Sequence, residues 1–294
     1  MSDRLFTPES LPAAGVGVFS LDEALPRSST LIEASAGTGK TFTLTHLAAN
    51  FIERDAVPIS QLLLVTYTRA AAGELRDRLR RVLRQRAATT TDTDASTRLR
   101  IAAEEFDTAT ITTIHGFCQQ VLTTLGVNVP LDPALKLLAD EETLITQIAA
   151  DLLAGQALAE STAEGTLPKL AKLTEAIRMG STHPGIVVAG HPDEPDHNRL
   201  AQLTTDGLDE LDRRLAARSL MTYQQLLNRV AAAVNGPKNS GVVDILRRRF
   251  RVALIDEFQD TDPVQWEVFR LLFAGGERAD SPTLVLVGDP KQAI

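Results

Sequence analysis

Ala34-Ser35-Ala36-Gly37-Thr38-Gly39-Lys40-Thr41 is the stretch on which the fold turns. It follows a short apolar segment, Thr30 to Glu33, and opens an amphipathic helix read from Lys40 to about Arg54. A Gly-rich turn between a strand and a helix is the setting of a phosphate-binding loop. Backbone N–H groups of such a turn face an anion, and the helix dipole favours negative charge there. Gly37 and Gly39 allow backbone angles and a close approach that a side chain would obstruct. Lys40 supplies a point charge to β- and γ-phosphates, and the Thr41 hydroxyl can ligate Mg²⁺. The usual first glycine is Ala34 here, one departure from the strict pattern.

Working outward, Leu62 to Thr66 (LLLVT) is an apolar run that reads as a strand buried on both faces. A long Ala/Arg/Leu helix follows from about Ala70 to Arg86, and the polar stretch Ala87 to Thr97 reads as a loop. Thr108 to Thr113 is a β-branched strand leading into a helix from Ile114 to about Leu125. Val252 to Ile255 and Leu284 to Val287 are two further buried strands, and the helix between them carries Trp266, Phe269 and Leu272. Strands alternating with helices predict an α/β fold on a parallel sheet, because parallel strands need crossovers. From about Asp132 to Val234 the pattern is helical with no convincing strand, interrupted by a Pro/Gly/His-rich break at Ser181 to Asn198. The expected organisation is therefore a discontinuous α/β domain, residues 1–130 and 235–294, with a helical insertion over 131–234.

Two of these strands deliver polar groups at their ends. Val252-Ala253-Leu254-Ile255 runs into Asp256-Glu257. Beside a phosphate loop, an aspartate so placed holds Mg²⁺, and a neighbouring glutamate orients or deprotonates an attacking water. The glutamate favours hydrolysis over transfer to another acceptor. Gly288-Asp289-Pro290-Lys291-Gln292 follows the last strand, where an amide can reach a γ-phosphate; read alone it is an ordinary Gly-Asp-Pro turn.

Composition narrows the class without settling it. Of 294 residues 44% are hydrophobic, enough for a sizeable core. The single cysteine, Cys118, excludes an internal disulfide and a Cys-based zinc site. The first 25 residues lack a basic start followed by an apolar run, and no stretch reaches the roughly 18 apolar residues of a membrane helix. A cytoplasmic protein without membrane contact is expected. The net charge of −8 argues against DNA binding over the whole surface. Seven arginines lie between Arg69 and Arg86, and Arg247, Arg248, Arg249 and Arg251 form a second cluster. Solvated helix faces and a local DNA surface remain alternatives for both.

Five segments in order, ASAGTGKT, VTYTRAAAGELRDRL, TITTIHGFC, LIDEFQDTDPVQW and LVGDPKQAI, resemble motifs I, Ia, Ib, II and III of superfamily 1A helicases. The wording LIEASAGTGKT, TIHGFC and GDPKQAI is similar to the RecB-type branch more than to UvrD, Rep or PcrA, and MTYQQLL (Met221 to Leu227) resembles a helix ahead of motif II. The resemblance implies a RecA-like ATP-binding lobe (domain 1A) with a 1B-like insertion, using ATP and Mg²⁺. It implies that Lys40 and residues 34–41 bind phosphate, that Thr41 and Asp256 hold Mg²⁺, that Glu257 is the catalytic base and that Gln292 senses the γ-phosphate. It further implies that Thr66, Tyr67, Thr68 and Arg69, with Thr113, Ile114, His115 and Phe117, lie along a single-stranded DNA track. For Tyr67 the residues themselves agree, since an aromatic at a strand end beside hydroxyls can stack a base; taken alone, Tyr67 or His115 reads first as a partly buried core residue.

For a whole protein of this kind, the resemblance implies ATP-dependent 3′–5′ translocation and unwinding in double-strand break repair and recombination. The partners would be single-stranded or duplex-end DNA and RecC- and RecD-like subunits of an exodeoxyribonuclease V-type complex. Two features depart from the pattern. The first glutamine is Gln61, so none precedes motif I to read the base, and the insertion is short for an arm that grips duplex DNA. The sequence stops within motif III, before a second motor lobe or nuclease domain, so weak binding of ATP·Mg²⁺ and little hydrolysis are expected of these residues alone. A nucleotide- and DNA-binding module without turnover is the alternative; a P-loop kinase or transporter ATPase lacks the Ia, Ib and GDxxQ segments.

Overall fold

The computed structural model describes residues 17–35, 39–125, 136–138, 140–158, 166–183, 188–191, 193–235, 240–274 and 282–292. Two compact units divide the chain, one formed by residues 1–129 and 227–294 and the other by residues 130–226.

The first unit is built on five parallel strands: β1 (Thr30–Glu33), β2 (Leu62–Thr66), β3 (Thr110–Thr113), β6 (Val252–Ile255) and β7 (Thr283–Gly288), in the order β1-β7-β6-β2-β3. Every residue of β2, β6 and β7 is buried, as expected of central strands covered on both faces. Alternate strand residues, Leu62 and Leu64 of β2, Val252 and Leu254 of β6, and Val285 and Val287 of β7, join one core cluster. That cluster takes in α1 (Lys40–Asp55), α2 (Arg69–Thr89) and α3 (Thr93–Glu104) through Leu44, Leu47, Phe51, Leu75, Leu79, Leu83 and Leu99. Phe117 of α4 (Ile114–Leu125) stacks on Phe269 of α10 (Pro263–Phe273) at 5.7 Å, with Phe250 and Phe273 edging the pair. In the chain, α8 (Tyr223–Asn235), which contains the boundary of the two units, and α9 (Ser240–Arg249) precede β6.

The second unit holds α5 (Glu141–Leu158), α6 (Leu170–Thr182) and α7 (Pro195–Ala217), packed around Leu144, Ile145, Ile148, Leu173, Ile177, Leu203 and Leu211. Contrary to the expectation of a purely helical region, it also contains a two-stranded parallel sheet, β4 (Lys136–Leu137) with β5 (Leu220–Met221). Two-residue strands are too short to leave an alternation in sequence. The unit closes at Leu226 rather than Val234, because α8 carries the chain across without a break in composition.

The stretch 87–97 is also not one loop. Helix α2 continues to Thr89, and α3 starts at Thr93 with the Asp92 carboxylate accepting from the N–H groups of Asp94 and Ala95. An Asp N-cap stabilises a helix start by about 1 kcal/mol, and Ala95, Leu99 and Ala102 give α3 a buried face. Several arginines of the two clusters prove structural. Arg86 donates to Asn50 and Glu53, Arg76 to the Ile111 carbonyl, and Arg247 to the carbonyls of Leu271 and Leu272 at the end of α10. Among the described residues, no helix is long and apolar enough to cross a membrane.

Candidate functional site

Five loops gather at the carboxyl ends of the parallel strands, the place where open α/β sheets receive ligands. The first leads from β1 to α1. Gly39 precedes the helix with φ +90°, a left-handed conformation that disfavours any residue with a Cβ. The start of α1 has no side-chain cap and no acidic residue in its first turn, which leaves its N–H groups and dipole open to an anion. Ala34 anchors the start of the loop by donating its N–H to the Gly288 carbonyl at 2.9 Å. Ala36, Gly37 and Thr38 lie outside the described residues; Ser35 and Gly39 flank them, and Thr41 stands in the first turn of α1.

Lys40 points from α1 to the end of β6, where its ammonium forms an ion pair with Glu257. Glu257 itself has φ +51°, an uncommon backbone state for a residue with a side chain and one often found at functional sites. Burial opposes the charge on Glu257, yet hydrogen bonds from Gln259 and Lys40 and the lysine charge outweigh it and hold the carboxyl below its ordinary value. Asp256 behaves oppositely. It is 7% exposed, and burial, reinforced by the Glu257 charge, pushes its carboxyl up to about 6. The pair is thus split into a carboxylate kept charged and a carboxyl poised near neutrality, although the two are adjacent in sequence. The backbone N–H of Asp256 donates to the Val65 carbonyl at 2.8 Å, and its Oδ1 accepts from the Glu257 N–H at 3.0 Å, which fixes the turn.

At the end of β7, the buried Asp289 accepts from the Lys291 N–H and from the Gln292 side chain at 2.7 Å. Gln259, which lies within the LIDEFQDTDPVQW segment but to which the sequence assigns no role, joins this loop to the previous one. Its Nε2 donates to Glu257 at 2.6 Å and its Oε1 accepts from the Asp289 N–H at 2.9 Å.

Residues expected along a DNA track separate into two groups. Tyr67 is 53% exposed just past β2, and Arg69 is exposed beside it. His115 is half-buried, and burial lowers its imidazole value against the opposing Asp262 carboxylate. Thr68 and Thr113 spend their hydroxyls on local structure: Thr68 caps α2 by accepting from the Ala71 N–H, and Thr113 accepts from the Gly116 N–H. Ile114, Thr66 and Phe117 are buried, so their side chains turn away from the surface that Tyr67 and Arg69 present. Thr66 faces the Asp256 carboxyl instead, and Phe117 belongs to the aromatic core.

A parallel sheet with a glycine-hinged helix start, a lysine and paired carboxylates at its carboxyl end defines an α/β protein of the phosphate-loop class. The model of the UvrD/REP helicase N-terminal domain matches residues 22–294, and the chain belongs to that family. The RecBCD enzyme subunit RecB of Mycolicibacterium smegmatis is 36% identical over 289 residues, covering 92% of this chain and 26% of that protein. RecB of Mycobacterium tuberculosis is 35% identical over 301 residues, covering 94% of this chain and 27% of its own length. The ATP-dependent DNA helicase UvrD1 of Mycobacterium tuberculosis is 26% identical over 271 residues, with 91% and 32% covered. The chain thus spans about a quarter to a third of the length of the curated relatives it matches.

Proposed function

We propose that this chain is the ATP-binding lobe, domain 1A with a 1B-like insertion, of a RecB-type DNA helicase motor. The observation that carries this reading is the meeting of Lys40, Asp256, Glu257 and the Asp289–Gln292 pair at neighbouring strand ends. The residues suit ATP and Mg²⁺. An uncapped helix start favours phosphate, and the donors at hand, the Thr41 hydroxyl and carboxylate oxygens, are the hard oxygen ligands that Mg²⁺ takes. Bound nucleotide supplies the phosphoanhydride, and Mg²⁺ supplies the positive charge that draws electrons from it.

The chain's own groups do the rest. Lys40 exchanges its Glu257 partner for phosphate oxygens and so orients the chain of phosphates. Asp256 and Thr41 would hold the metal. Glu257, kept ionised, accepts the proton of a water placed for in-line attack. Gln292, released from Asp289, reports the terminal phosphate. Tyr67 and Arg69 offer a stacking face and a cation to single-stranded DNA, with His115 beside them. Translocation with 3′–5′ polarity, duplex-end unwinding in break repair, and assembly with RecC- and RecD-like subunits are proposed for the whole protein that carries this lobe.

ATP binding in the presence of Mg²⁺, measured by equilibrium dialysis, tests the reading. Lys40→Ala should weaken it by at least about tenfold, the worth of a charge-assisted contact. An unchanged affinity would falsify the assignment of the loop. For the DNA side, Tyr67→Ala should leave the melting temperature unmoved while weakening binding of a labelled single-stranded oligonucleotide. The expected loss is roughly 5- to 100-fold, the value of one stacked base; equal anisotropy titrations for variant and wild type remove Tyr67 from the track.

A further inference from the structure

Gln259 lies on the short 3-10 turn Phe258–Asp260 that follows Glu257, and its amide is used at both ends. The nitrogen donates to Glu257 Oε2 at 2.6 Å, the same oxygen that Lys40 contacts. The oxygen accepts from the Asp289 N–H at 2.9 Å, just past β7. The neighbouring glycine is fitted to it: a Cβ on Gly288 would lie 2.9 Å from Gln259 Oε1 and 3.2 Å from the Gln259 backbone nitrogen. Any side chain at 288 would therefore push the amide off the strand end. Asp289 in turn holds the Gln292 amide, so a continuous line of contacts runs Lys40, Glu257, Gln259, Asp289, Gln292.

This line has a mechanical consequence. Lys40 cannot neutralise Glu257 and a phosphate oxygen equally well at the same time, so the lysine contact weakens when nucleotide enters. Of the two donors on Oε2, the Gln259 amide is the one that does not depend on Lys40. We propose that Gln259 is a positioning residue for hydrolysis, holding the Glu257 carboxylate once Lys40 has turned to phosphate and tying it to the Gly288–Asp289 turn. The inference rests on the ATP-binding reading above. It assigns no contact between Gln259 and nucleotide, so it separates binding from the chemical step.

The test uses the complete protein as expressed from its gene, with single-stranded DNA present, and compares ATP affinity with the single-turnover hydrolysis rate. Gln259→Ala should keep ATP·Mg²⁺ affinity within about threefold of wild type while hydrolysis slows by roughly 100-fold, as expected when a reacting group is misplaced by about an ångström. Gln259→Glu is the discriminating variant. It keeps the length and the acceptor for the Asp289 N–H but presents a carboxylate to Glu257 instead of a donor, and should be as slow as Gln259→Ala. A role confined to bracing the Gly288–Asp289 turn would be restored by that variant, which keeps the acceptor for the Asp289 N–H. Wild-type hydrolysis in Gln259→Ala, or recovery in Gln259→Glu, overturns the inference alone. A wild-type protein that binds no ATP overturns the reading beneath it as well.

Discussion

Asp256→Asn is expected to raise the thermal stability of the protein at pH 8 while weakening its Mg²⁺-dependent hold on nucleotide. The fold shifts the Asp256 carboxyl from an ordinary 3.8 up to about 6, chiefly by burial and then by the Glu257 charge. A carboxyl whose value is raised on folding is favoured in its protonated form. Relative to an always-neutral group, its contribution is near zero below about 4, falls as the pH rises through 6, and above that stays at the full cost of a buried charge. A shift of this size corresponds to about 3 kcal/mol, so asparagine should recover a few kcal/mol at pH 8, a rise in melting temperature of roughly 5 °C or more. The amide is well received. Its oxygen can keep the Glu257 N–H, and its NH₂ can donate to the buried Thr66 hydroxyl, which has no hydrogen-bond partner among the described residues. Melting curves of variant and wild type at pH 8 and pH 4 check this: the gain should vanish at the lower pH. A gain equal at both pH values, or none at pH 8, sinks the argument. The sign matters functionally, because a group that costs stability where it stands is retained for what it does there.

Much of this was readable from residues whose neighbours in sequence are also their neighbours in space. LLLVT, VALI and TLVLV are short, uninterrupted apolar runs, and such runs between helices leave a buried parallel sheet as the natural arrangement. Gly39-Lys40 and Asp256-Glu257 stand at strand ends in sequence, and a parallel sheet brings strand ends of one polarity together without further instruction. What escaped the sequence depends on distance. Gln259 contacts a residue 30 positions away, and Arg86 contacts Asn50 36 positions away. Nothing local points to those partners. Helix α3 was hidden for another reason: Thr, Asp and Ala make a loop-like composition until Asp92 is seen to cap a helix whose apolar residues are spaced three to four apart. The opposite electrostatic tendencies of Asp256 and Glu257 likewise follow from burial and from Lys40, which a linear reading supplies only in part.

Phe117→Ala should cost about 3–5 kcal/mol of stability, the usual penalty for emptying a buried phenyl site. Phe117 has no exposed surface and lies 5.7 to 6.2 Å, centroid to centroid, from the rings of Phe269, Phe273 and Phe250. Helical geometry explains why the motif TIHGF cannot present both of its rings to one ligand. Residues two apart on an α-helix point about 200° apart, so a half-exposed His115 requires Phe117 to face inward. The aromatic residue in this motif therefore fixes α4 against α10, while the histidine stays half-exposed. The variant should melt well below the wild type. At a temperature where it is still folded, its affinity for a single-stranded oligonucleotide should stay within about twofold of wild type, since a core cavity removes no contact with DNA. Tyr67→Ala is the mirror case, with affinity lost and stability kept. If Phe117→Ala instead weakened DNA binding without lowering the melting temperature, Phe117 would have to act on DNA rather than in the core between α4 and α10.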